Sequence, residues 1–140
     1  MALEITMAGT AAELRTDADM VLIAKCQKSL ENAINDPEES ANYDLEFHRA
    51  IASATQNEVY LVLLDAIAPV LLDIRRTTLA AGSGQDTIRA HRAILRAIEK
   101  QNPAAAQKAM SDHLVRVQKW QENVASQEHA IDGFDVLSSR

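Results

Sequence analysis

Four breaks punctuate this chain, and between them apolar residues recur at helical spacing almost without interruption. The breaks are Asn35-Asp36-Pro37, Gln56-Asn57, Ala81-Gly82-Ser83-Gly84 and Gln101-Asn102-Pro103. With only 4 Gly and 3 Pro in 140 residues, the chain lacks the turn residues that an all-β fold consumes. Hydrophobic residues make up 47% and aromatics 4%. The expected class is all-α, and the length gives one domain with a real hydrophobic core.

Residues 2–15 carry Leu3, Met7, Ala11 and Leu14 on one stripe, weakened by Gly9. Thr16 or Asp17 caps a second helix that reaches about residue 34, along Met20, Ile23, Ala24, Gln27 and Leu30. Pro37 suits the first turn of a third helix over 37–55, and Glu38 and Glu39 favour its N-terminal dipole end. Its apolar line is Tyr43, Phe47, Ala50, Ile51 and Ala54, with Gln56-Asn57 as the C-cap. The fourth helix, 58–80, is apolar nearly all round, so it is expected at the centre, with Pro69 kinking or dividing it. The fifth, 85–100, aligns Ile88, His91, Leu95 and Ile98. The sixth, 104–126, aligns Ala106, Met110, His113, Leu114, Val117 and Trp120. The periodicity dissolves after Gln127. Residues 1–126 are therefore expected to form the bundle, and 127–140 a partly disordered tail.

The formal net charge of -6 argues against this chain itself gripping nucleic acid or an anionic membrane. A single cysteine, Cys26, excludes an internal disulfide framework. The longest apolar run, Val59 to Leu72, is broken by Asp65 and Pro69 and falls short of a membrane span. No basic region followed by an apolar core opens the chain, so the expected location is the cytoplasm.

Chemistry concentrates on the histidines. Asp44 and His48 stand one helical turn apart on the same face, and His91 and His113 each lie inside an apolar stripe of a later helix. Buried imidazoles are costly unless they are paired or ligated. Two readings stay open on periodicity alone. The three histidines are hydrogen-bonded core residues, or with Asp44 they converge on a cation at the floor of a small-ligand pocket. Imidazole nitrogens and a carboxylate oxygen suit zinc, nickel, manganese or iron, and bundles build such sites from facing helices. Arg75 and Arg76 close helix four: either both are solvated at its negative end, or one turns inward and forks onto a ligand carboxylate. Arg92 and Arg96 belong on the outer face, Met110 and Trp120 in the core, and Cys26 is an inert buried thiol.

Three segments in order, Asp44-x-x-Phe47-His48-x-x-Ile51, His91-Arg92-Ala93-Ile94-Leu95-x-Ala97-Ile98 and Ala109-Met110-x-x-His113-Leu114, resemble the FCD domain. This is the C-terminal effector-binding domain of FadR-type members of the GntR bacterial transcription regulators. Leu3-Glu4 and Asn57 also fit, and the likeness spans residues 2–125. It implies an antiparallel all-α bundle of six to seven helices with a metal site in its core. In the metal-binding branch one Asp and three His hold a divalent cation, roles that fall on Asp44, His48, His91 and His113. Zinc is expected first. The branch that binds long acyl-CoA lacks this histidine set. The implied effector is a small organic acid, with Arg75 as its second anchor, and the implied assembly is a homodimer. Family members carry a winged helix-turn-helix ahead of this domain and this sequence shows none. DNA binding is thus expected only through a separate or missing domain, whether the chain is an excised piece or a natural stand-alone protein. No catalytic residue is expected. Two rival readings are a purely structural metal and a metal-dependent hydrolase or oxygenase. Against the latter, Glu46 points away from Asp44 and His48, and no general base or nucleophile stands out beside them.

Overall fold

The computed structural model describes residues 2–138, with side chains through residue 133. It is an all-α bundle of six helices: α1 (Ala2–Leu14), α2 (Asp17–Asn32), α3 (Pro37–Ala54), α4 (Glu58–Ala80), α5 (Gly84–Glu99) and α6 (Pro103–Ser138). No strand occurs among the described residues.

Each start has a local cause. Thr16 accepts from the Asp19 amide while Asp19 accepts from the Thr16 amide, a reciprocal capping box for α2. Asp36 accepts from the Glu38 and Glu39 amides, and Pro37 takes the first position of α3. Asn57 caps α4 through the Val59 amide and does not extend α3. Asn102 accepts from the Ala105 amide at the start of α6. Gln56 (φ 58°) and Gln101 (φ 51°) hold the left-handed position that glycine usually takes after a helix, as Gly82 does at φ 107°.

Packing gathers α1, α3, α5 and α6 around one core, with α2 against α3 and α5, and α4 against α3 and α6. Phe47, Met7, Ile23, Ile51, Leu64, Ile94, Ile98 and Met110 are fully buried in it. Gly9 does not weaken α1. It leaves room for α6, since a Cβ there would stand 2.6 Å from Gln107 Nε2.

Three expectations change. Pro69 lies inside an unbroken α4, so it does not divide the helix. Nor is α4 central: only Leu64, Leu71, Arg75, Thr78 and Leu79 are buried on it, while Val59, Val62, Leu63 and Val70 face outward. An apolar circumference records how much a helix could bury, not how many neighbours it has. Finally, α6 continues as helix through Ser138, past its apolar stripe. Residues 127–133 are exposed, so backbone hydrogen bonding carries the helix there without core contacts. Of the expected tail, residues 139–140 lie outside the described residues. Among those described, no helix is long and apolar enough to cross a membrane.

Candidate metal centre

Helices α3, α5 and α6 bring Asp44, His48, His91 and His113 together. One ligand atom from each lies within 4.8 Å of all the others, and all four residues are buried. His91 Nε2 is 3.0 Å from Asp44 Oδ1, and His48 Nε2 is 4.0 Å from Asp44 Oδ2. The rings of His48, His91 and His113 have centroids 4.8 to 5.5 Å apart. Phe47 lies flat on His91, centroids 4.0 Å apart and planes 10° from parallel.

These contacts are short, yet Asp44 Oδ1 and Oδ2, His91 Nε2, His113 Nε2 and His48 Nε2 make no properly aligned hydrogen bond. Buried polar atoms are nearly always paired, and an orphan is expensive. Donor atoms that sit close without pointing N–H at oxygen form the arrangement of ligands around a shared point. The residues present therefore fit a divalent cation.

Electrostatics agree. Burial would push the Asp44 carboxyl up, but the Arg75 guanidinium and the two neighbouring imidazoles outweigh it and hold it well below the usual carboxylate range. Burial also pushes His91 down, partly opposed by Asp44. His113 goes well below the usual value, through burial and then through His91 and Arg75. A carboxylate and two neutral imidazoles are the forms that bind metal.

Of the two arginines, Arg75 turns inward. It is 5% exposed, and its Nε is 2.7 Å from Asp44 Oδ2. Arg76 turns outward to Glu38, at 2.6 Å. Arg92 is on the outer face, paired with Glu31 at 2.7 Å. Met110 is core, whereas Trp120 is half-buried and donates from Nε1 to Asp86 at 3.1 Å. Cys26 is half-buried too, and burial, then Glu46, pushes its thiol up, away from the reactive thiolate.

Two residues at the cluster carried no functional assignment from sequence. Glu4 on α1 is fully buried with Oε1 2.8 Å from His48 Nδ1. Gln27 on α2 accepts from His91 Nδ1 at 3.0 Å and donates to Glu31. The available signal was polarity inside an apolar stripe: Glu4 shares its line with Met7, Ala8 and Ala11. Glu4 is also the carboxylate beside the ligands that the sequence did not reveal, whereas Glu46 is exposed and paired with Arg49. His113 also lines a cavity of about 500 Å³ between α5 and α6, floored by Ala93, Ala97 and Ala109 and rimmed by Arg89, Lys108 and Arg116.

The sequence is similar to those of known proteins. The family described as FCD domain matches residues 1–116. The chain is 34% identical over 122 residues to the HTH-type transcriptional regulator LutR of Bacillus subtilis (strain 168), covering 83% of this chain and 56% of that protein. It is 31% identical over 127 residues to the Glc operon transcriptional activator of Escherichia coli (strain K12), covering 84% and 50%. The chain thus spans about half the length of the curated relatives it matches. On the match over residues 1–116 and this bundle, the chain belongs to the FCD domain family.

Proposed function

We propose that this chain is the effector-sensing domain of a GntR/FadR-type transcription regulator. It holds a divalent cation on Asp44, His48, His91 and His113 and binds a small organic acid beside it. The observation that carries the reading is the convergence of four buried donor groups, from three helices, whose facing nitrogen and oxygen atoms make no aligned hydrogen bond. Zinc leads the candidates, with nickel, manganese and iron accepting the same donors.

The buried charges support an acidic ligand. Two buried carboxyl groups, Glu4 and Asp44, share the field of one buried guanidinium, Arg75. When bound, a divalent cation supplies an electron-pair acceptor and two positive charges there, which favour a carboxylate ligand. Arg75 forms an ion pair with Asp44 through Nε, at 2.7 Å, and its guanidinium carries further N–H donors that can anchor a ligand oxygen. Ligand capture would draw α3, α4, α5 and α6 together. A DNA-binding winged helix-turn-helix elsewhere in the full regulator would read that movement, by no more than the ligand's differential affinity for the two states. The relatives named as transcription regulators support this role and a cytoplasmic location. The exposed apolar flank of α4 supports a homodimer. This is a binding domain and not an enzyme.

The test is metal content by mass spectrometry, before any chelator, in the parent and in His48→Ala, followed by thermal shifts with small carboxylic acids. Stoichiometric metal in the parent, loss in His48→Ala, and acid-dependent stabilisation only of the loaded protein are expected. Retained metal and unchanged acid affinity in His48→Ala would sink the assignment. If chelation lowers the melting temperature and no acid raises it, the metal is a structural staple. Sustained turnover with zinc, manganese or iron would instead point to a hydrolase or oxygenase.

A further inference from the structure

Two of the three histidines have their Nδ1 against a polar side chain from a helix that supplies no ligand. His91 Nδ1 meets Gln27 Oε1 of α2 at 3.0 Å, and His48 Nδ1 meets Glu4 Oε1 of α1 at 2.8 Å. On His48 the opposite nitrogen, Nε2, faces Asp44. Glu4 is fully buried, and neither of its oxygens makes an aligned hydrogen bond, although Oε1 approaches His48 Nδ1 to 2.8 Å. An unshared carboxylate in a protein core is expensive, so its place there needs a partner. His48 Nδ1 is the polar atom it meets.

Resting on the metal-site reading above, we infer that Glu4 is a positioning residue. Its carboxylate takes the Nδ1–H of His48, which leaves the Nε2 lone pair aimed at the cluster and ties the docking of α1 to occupancy of the site. The proton has to be on Nδ1, because without it an imidazole lone pair and a carboxylate lone pair would face each other at 2.8 Å. A carboxylate behind a ligating imidazole fixes the tautomer and the ring plane and makes the ligand atom more basic. Linkage then runs both ways. Whatever occupies the cluster holds His48, His48 holds Glu4, and Glu4 holds α1 against α3.

Two measurements test this. The first is zinc affinity by chelator competition in the parent, Glu4→Ala and Glu4→Gln, with helicity checked by circular dichroism. Glu4→Ala is expected to bind zinc about 10- to 100-fold more weakly. Glu4→Gln, which keeps an acceptor oxygen but no charge, should fall between it and the parent. A folded Glu4→Ala with parental affinity overturns the inference. The second needs no variant: long-range proton–nitrogen NMR of the zinc-loaded parent should show His48 as the Nδ1–H tautomer, and an Nε2–H reading overturns the assignment even if Glu4→Ala fails to fold. A parent that takes up no zinc removes the metal reading and this inference with it. A parent that binds zinc as tightly as Glu4→Ala removes this inference alone.

Discussion

At the scale of single residues, the same types do different work according to what surrounds them. Asp44 and Asp86 both have carboxyls held below the usual range. Asp44 gets there in the core, against a large burial cost, through Arg75 and two imidazoles. Asp86 gets there near the surface, through the Trp120 N–H first and then the Arg89 guanidinium, against a smaller burial cost. The Asp86 contacts tie the start of α5 to α6, and their effect on stability has a definite sign. A carboxyl lowered in the folded state stabilises the fold above its unfolded value of about 3.9, and that stabilisation is lost as pH falls through the folded value. Asp86→Asn should therefore cost less than about 1 kcal/mol, since the ion pair is partly solvated. Urea denaturation across pH should show a steady gap between parent and variant from about pH 5 to 7, closing below about 3.9. A gap that persists in acid would contradict it. At this scale the sequence exposed Asp44, His48, His91 and His113 as a set. It hid Glu4, because an acid in a helix of apolar and small residues looks the same whether it faces water or a histidine on another helix.

At the scale of elements, α3 carries half of the candidate ligands and depends on how it starts. Asp36 is exposed, yet its side chain accepts from two amides, Glu38 and Glu39, each at 3.1 Å. Asp36→Ala should destabilise the protein by about 1 kcal/mol. Thermal unfolding of the metal-free chain measures this directly, and an unchanged midpoint would mean that Pro37 and core packing set the helix start alone. The breaks were legible in sequence because capping and proline act within a few residues, so five of the six helices start and stop close to where the pattern places them. The far end of α6 was not, since its continuation past residue 126 follows no apolar stripe. The seat of α4 was not legible either: Val59, Val62, Leu63 and Val70 read as core until the neighbours of the helix are known.

At the scale of the whole molecule, that outward flank and the buried cluster lie on the two sides of α4. Arg75 reaches Asp44 from one face, while Val62 is 66% exposed on the other. On the proposed homodimer, Val62→Glu should shift the protein to monomer in sedimentation velocity while leaving the melting temperature of dilute, metal-loaded protein nearly unchanged, because an exposed substitution costs within about 0.5 kcal/mol of fold stability. An unchanged sedimentation coefficient would move the dimer face away from α4. The sequence by itself determined the helices, most of their ends and the candidate ligands, because periodicity, caps and donor chemistry are local properties. Only the tertiary structure decided that Glu4 and Gln27 stand behind His48 and His91, that Arg75 and not Arg76 turns inward, and that α4 lies at the side. Those facts depend on which helix faces which, and that is set by close packing between segments far apart in the chain, which a linear pattern does not encode.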